Sequence, residues 1–191
     1  METWMWVAIA VAAVVVIAAV ALWLWDNQRR KSRSEQLQHQ FGDEYDRTID
    51  RNGGRKAAEA ELMDRQQRVE KMNIRPLSDA ELRRFADNWH ATQADFVDEP
   101  GGAVAQADRL VGEVMQARGY PVGDFEQRAA DVSVDHPTVV QNYRAAHALA
   151  VRHQRAQAST EDLRQAMMHY RALFTDLLET DDGVADDARV H

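Results

Sequence analysis

Residues 159–178, STEDLRQAMMHYRALFTDLL, carry the fold in their spacing. Leu163, Met167, Tyr170, Phe174 and Leu177 recur at steps of three and four, which stacks them along one side of a helix of 3.6 residues per turn. Ser159 and Thr160 supply a start, and Glu161 and Asp162 sit where the positive end of the helix dipole favours them. A twenty-residue helix with one apolar side has to bury that side against other elements, so the question passes to the rest of the chain.

The same period recurs upstream. Val140, Tyr143, His147 and Ala150 line one side of a helix, and Asp135, His136 and Pro137 before it read as its cap and early proline. Val104, Ala107, Leu110, Val111, Val114 and Met115 share a face that ends at Gly119, with Pro121 two residues on. Pro100, Gly101 and Gly102 part that helix from an earlier one bearing Leu82, Phe85, Trp89 and Phe96, which opens on a capping box of Ser78 and Glu81. Between Tyr120 and Ser133 the pattern predicts a loop or short helix holding Phe125.

Nearer the N-terminus the apolar faces thin out. Over 55–72 only Leu62, Met63, Val69 and Met72 are available to bury, which predicts an exposed or bridging helix with a narrow seam. Leu37, Phe41, Tyr45 and Ile49 follow at intervals of four before Asn52, Gly53 and Gly54 break the helix. No stretch alternates with period two, so no sheet is expected.

The first residues obey a different rule. From Trp4 to Trp25 every side chain is apolar. As a helix this run of about 22 residues measures roughly 33 Å, the hydrocarbon thickness of a bilayer. Trp4, Trp6, Trp23 and Trp25 mark its ends, where indole rings favour the interface. A cleaved signal peptide is the competing reading, with Ala19, Val20 and Ala21 as a small-x-small triplet. Against it, no basic residue precedes the run, and the run continues past the triplet. Arg29, Arg30, Lys31 and Arg33 follow the span, which places the downstream domain in the cytoplasm by the positive-inside rule and offers a contact to acidic lipid headgroups. A secreted or envelope-facing domain is the alternative placement.

The expected architecture is therefore all-α: one N-terminal transmembrane helix (4–25), a basic juxtamembrane segment (26–36), an extended helical stalk (37–75), a soluble helical bundle (76–178) of about five to six helices, and an acidic disordered tail (179–191). The low mean hydropathy of -0.54 for a chain with such a span implies a strongly hydrophilic remainder.

Composition narrows function by exclusion. A net charge of -8 and the lack of a basic patch beyond the juxtamembrane cluster argue against nucleic acid as a partner. The chain has no cysteine, which rules out thiolate metal sites, a cysteine nucleophile and disulfides. Its seven histidines show no metal-binding pair: His147 and His153 lie six apart on different sides of a helix, and Asp87 with His90 is an isolated pair. His147 reads as a structural histidine on an apolar face. No cofactor or metal is expected, and neither a phosphate loop, a dinucleotide fingerprint nor a nucleophile elbow is present.

The candidate polar cluster is Arg118, Tyr120, Asp124, Asp135, His136, Tyr143 and Arg144, provided the loop after Gly119 returns beside the following helix. Such a cluster would lock loop to helix by hydrogen bonds and ion pairs. Alternatively, Asp135 beside His136 would serve acid–base chemistry in an enzyme of unrecognised type. The leading expectation is a membrane-anchored binding or scaffolding protein that contacts the bilayer through 4–25 and an unidentified protein partner through its helical surface.

Four motifs together also suggest kinship: Phe41-Gly42-Asp43-Glu44-Tyr45-Asp46-Arg47, Arg118-Gly119-Tyr120-Pro121, Ser133-Val134-Asp135-His136-Pro137 and Asn142-Tyr143-Arg144-Ala145-Ala146-His147. They resemble an uncharacterised family of bacterial proteins with an N-terminal hydrophobic segment and a helical domain, often labelled "secreted" or "hypothetical". The resemblance covers about 37–178 and implies no activity, cofactor or catalytic residue.

Overall fold

The structure is a computed structural model that describes residues 31–179 and, before them, Val20, Ala21, Trp25 and Gln28. Among the described residues every regular element is helical and no strand occurs, as the apolar periodicity predicts. These residues fall into two units that part between Gln40 and Phe41. In the first, residues 31–40 are helical, and Lys31 and Arg33 are exposed. Arg29, Arg30, most of the segment 4–25 and the acidic tail beyond Glu179 lie outside the described residues. Among the described residues no helix is long and apolar enough to cross a membrane.

The second unit contains α1 (Asp43–Asn52), α2 (Arg55–Glu70), α3 (Asp79–Asp95), α4 (Pro100–Arg118), α5 (Phe125–Asp135), α6 (Val140–Gln154) and α7 (Thr160–Glu179). Helix α7 packs along both α6 and α4, so its stripe of Leu163, Met167, Tyr170, Phe174 and Leu177 becomes the spine of the apolar core. Trp89 of α3 stacks on Phe174 with ring centroids 4.7 Å apart, which fastens α3 to the same spine. The five helices α3 to α7 occupy the region expected to form a bundle. The residues before them do not stand apart from it: from Phe41 onward α1 and α2 form a helical hairpin, and α2 packs on α5. Where the sequence suggests a stalk over 37–75, the structure seats this hairpin against the bundle because α2 has a buried face of Ala58, Leu62, Arg65 and Val69.

Local signals account for most helix ends. Ser78 and Glu81 form the expected capping box, with Ser78 N–H donating to Glu81 Oε2 at 2.8 Å and Glu81 N–H returning to Ser78 Oγ. Ser159 and Asp162 make the corresponding reciprocal pair before α7. Pro100 is in the first turn of α4, but Gly101 and Gly102 are helical and do not form a separating loop. A Cβ at Gly101 would meet the His153 ring at 2.3 Å, so the glycine makes room for α6 to approach.

One expected cap is overturned. Asp135 is the last residue of α5, His136 caps its C-terminus through N–H to the Val132 carbonyl, and α6 begins only at Val140. The cause is Pro137: a residue before proline is pushed out of the helical region, so His136 adopts φ -125°, ψ 55° and ends one helix rather than starting the next. The start of α5 is set instead by Asp124, whose carboxylate accepts the Gln127 N–H at 2.9 Å.

Gly119 ends α4 with φ 101°, and a Cβ there would lie 2.4 Å from the Asn73 carbonyl oxygen. The Arg75 N–H donates to the Arg118 carbonyl at 2.8 Å, so the linker before α3 is pressed against the end of α4. Gly53 has a similar positive φ of 68° but open space around it. In thermal unfolding Gly53→Ala should cost about 1 kcal/mol from the left-handed backbone alone, and Gly119→Ala on the order of 3 kcal/mol because backbone must also move. Equal losses would mean that the contact with Asn73 carries no constraint.

Candidate functional site

The largest polar assembly centres on a residue that periodicity alone does not single out. Phe41, just before α1, and Tyr45 on it are buried as expected, and so are Glu44 and Thr48 of α1. Glu44 is fully buried. Its Oε1 accepts from Arg65 Nη1 at 3.0 Å and from Arg144 Nη2 at 2.8 Å, while Oε2 accepts from Arg144 Nε and Gln141 Nε2, each at 3.3 Å. Arg65, with only 1% of its side chain exposed, also donates to Ser133 Oγ at 3.3 Å and to Glu61 Oε1 at 3.1 Å. Arg144 reaches Glu126 Oε2 at 2.8 Å. One carboxylate thus ties α1 to α2 and α6, and Arg65 extends the tie to α5.

Desolvation is the opposing term, because a buried charge is tolerated only when paired and hydrogen-bonded. Burial by itself lowers the pKa of Arg144, but Glu44 and Glu126 outweigh it and hold the guanidinium above its ordinary value. Burial likewise raises Glu61, yet hydrogen bonds from Asn52, Arg65 and Arg51 prevail and bring it down to about 2. A second strut runs beside the first: Arg68 Nε donates to the buried Asp131 Oδ1 at 3.0 Å, and Gln127 Nε2 donates to the same oxygen at 2.8 Å.

The seven residues singled out from the sequence do not form one cluster. Tyr120 and Asp135 do meet, phenol to carboxylate at 2.6 Å, and burial with the Asp135 charge raises the phenol's pKa. Arg118 turns away to the Leu177 carbonyl at the end of α7, a distance of 2.5 Å. Asp124 caps α5. The His136 Nδ1 pairs with Asp176 of α7, and the ring is almost fully buried. Tyr143 is fully buried edge-on to Phe125, and burial pushes its phenol up to about 12. Arg144 belongs to Glu44. Apart from the Asp124 cap, each contact joins one element to another.

A smaller polar group lies among α4, α6 and α7. Tyr170 donates to Asp108 at 2.9 Å, and the half-buried His147 lies flat on Phe125 with centroids 3.6 Å apart. Burial lowers the His147 pKa, which keeps a neutral ring stacked there at physiological pH. Among the described residues no group of three or more histidine or acidic side chains is placed to hold a metal ion. Surface depressions are open to solvent. One of about 830 Å³ is lined by Asp43, Arg47, Asp50, Arg51 and Gln141, and another of about 470 Å³ by Val139, Met168, Arg171 and Asp176 with their neighbours.

No protein-family model, curated protein or solved structure matches the chain. Its site residues have therefore to be judged on geometry. The sequence signal for Glu44 and Arg65 exists but is indirect: each occupies an inward register position, Glu44 three residues after Phe41 and Arg65 three after Leu62 and four before Val69. Asp131 and Asp176, the partners of Arg68 and His136, lack even that, being ordinary acidic residues on amphipathic helices.

Two measurements probe this assembly. Glu44→Ala leaves Arg65 and Arg144 without their shared partner and should destabilise the chain by about 3–5 kcal/mol in chemical denaturation. Glu61, depressed from 4.5 to about 2, contributes stability above pH 4.5 that is lost as pH falls toward 2. The melting temperature of Glu61→Gln should accordingly fall less steeply than that of the wild type between pH 5 and pH 3, and parallel slopes would refute the role given to that carboxylate.

Proposed function

We propose that the chain is a membrane-tethered helical binding or scaffolding protein. The segment 4–25 lies in the bilayer, Arg29, Arg30, Lys31 and Arg33 keep the helical unit at the cytoplasmic face, and α2 offers its outer side to a protein partner. The observation that supports this best is the two-sidedness of α2. Ala58, Leu62, Arg65 and Val69 are buried, whereas Lys56, Ala60, Asp64 and Gln67 are exposed. A helix immobilised on one side presents the other without much further ordering, which lowers the entropic penalty of association. Its alternating charges suit a polar contact in which electrostatics set specificity and encounter rate.

The residues on which a catalytic reading would rest support a structural role. Asp135 accepts from Tyr120, and His136 is buried on Asp176, so the two neighbours in sequence serve two different pairs. The resemblance to membrane-anchored helical proteins without assigned activity agrees with the binding reading.

The full-length chain should stay with the membrane pellet after alkaline carbonate extraction, and deletion of 4–25 should release it. A reporter after His191 should read as cytoplasmic. A photo-crosslinking side chain at Ala60 or Gln67 should yield a discrete adduct in intact cells, whereas one at the exposed Met168 of α7 should not. Release of the intact chain by carbonate, or adducts that fail to distinguish α2 from Met168, would count against the reading.

A further inference from the structure

Two different kinds of contact hold the second unit together. The contiguous apolar core runs from Leu77 to Leu177 and draws its buried residues from α3 to α7, Leu77 and Tyr120. None of the buried residues of α1 or α2 belongs to it, although Tyr45, Ala58, Leu62 and Val69 are all buried. Across the boundary between this hairpin and the bundle run polar links: Glu44 to Arg144 and Gln141, Arg65 to Ser133, and Arg68 to Asp131.

Such a boundary opens more readily than an apolar one. Apolar burial favours association in proportion to area, whereas a buried ion pair roughly offsets its own desolvation. The partners are also divided in a way that eases separation. Arg65 keeps Glu44 and Glu61, all within the hairpin. Arg144 keeps Glu126 within the bundle, and Asp131 keeps Gln127. Parting the two bodies therefore leaves Glu44, Arg65 and Arg144 each with a charged partner.

The linker supplies the pivot. Met72 and Ile74 pack on the core, and the Arg75 N–H is fixed to the Arg118 carbonyl, so the chain is anchored to the bundle just after α2 ends. Lys71, the C-cap of α2, is exposed and lies between the hairpin and that anchor.

We infer that the α1–α2 hairpin is a separately opening unit, latched to α5 and α6 by Glu44 held between Arg65 and Arg144. The inference stands whether or not α2 meets a partner, since it concerns the hairpin's attachment and not its outer side. Opening would uncover Arg65 and Arg144 while α3 to α7 stay folded. The core would be left intact because it has no side chain in the hairpin.

Native-state hydrogen exchange on the full-length chain in lipid nanodiscs tests this. Amides of α1 and α2 should exchange through a shared opening about tenfold or more populated than the one exposing α4 and α7. Glu44→Gln should make the hairpin opening at least about tenfold more populated and, because complete unfolding includes that opening, lower protection of α4 and α7 by a similar factor. Leu173→Ala, which alters a core side chain retained in the opened form, should instead lower protection of α4 and α7 and leave that of the hairpin unchanged. If the Glu44 variant does not fold, Arg68→Gln, which alters a half-exposed strut, should make the hairpin opening about threefold more populated. Equal protection of hairpin and core in the wild type would overturn the inference, as would a Leu173→Ala chain that loses protection in hairpin and core alike.

Discussion

Glu44 is asked to satisfy two arginines at once, and the arrangement of the surrounding helices follows from that demand. A carboxylate taken out of water has to find several donors at hydrogen-bond distance, and here they come from positions 65, 141 and 144. The Glu44–Arg144 contact spans a hundred residues of chain. Apolar side chains accept many relative placements of two helices at similar free energy, but a guanidinium meeting a carboxylate accepts few. The hairpin is thereby fixed in register on α5 and α6, even though the links that fix it add little net stability.

The remainder of the unit obeys the opposite rule. Helices α3 to α7 converge on the inner face of α7, where Trp89, Phe174, Tyr170 and their neighbours exclude water. Polar contacts sit at its margins and settle local questions: Tyr120 on Asp135 holds the α4–α5 loop, and His136 on Asp176 holds the α5–α6 turn to α7. The protein thus combines a bundle stabilised by area with a hairpin positioned by charge.

The sequence foretells these two parts unequally. Periodicity identifies α3, α4, α6 and α7 and their inward faces, and the capping box at Ser78 and the Gly119 stop lie where local chemistry puts them. Asp135 with His136 and Pro137 misleads because the same three residues suit a helix start or a helix stop, and the choice depends on whether α5 persists as far as Asp135. The candidate site is harder still. Of the seven polar residues singled out, only Tyr120 and Asp135 share a hydrogen bond, with the His136 ring tilted beside Tyr120, while Asp124 caps its own helix and Arg118, His136 and Arg144 pair with groups remote in sequence. A charge on an inward register position reads as a flaw in an apolar stripe until the opposing helix is known. For that reason Glu44 and Arg65 escape notice while more conspicuous residues draw it.

Arg118 has a consequence for how the protein can vary in length. Its guanidinium leaves the last turn of α4 and reaches the Leu177 carbonyl near the end of α7, so a single cation serves the negative poles of two helices. One residue inserted into α4 would turn Arg118 about 100° away and strip both ends of their counter-charge. Connections held by exposed pairs, such as that between α6 and α7 where Arg152 meets Asp162, tolerate a change in length more readily. Evolutionary drift in size should therefore accumulate in those connections, with α4 and α7 keeping a fixed measure against each other.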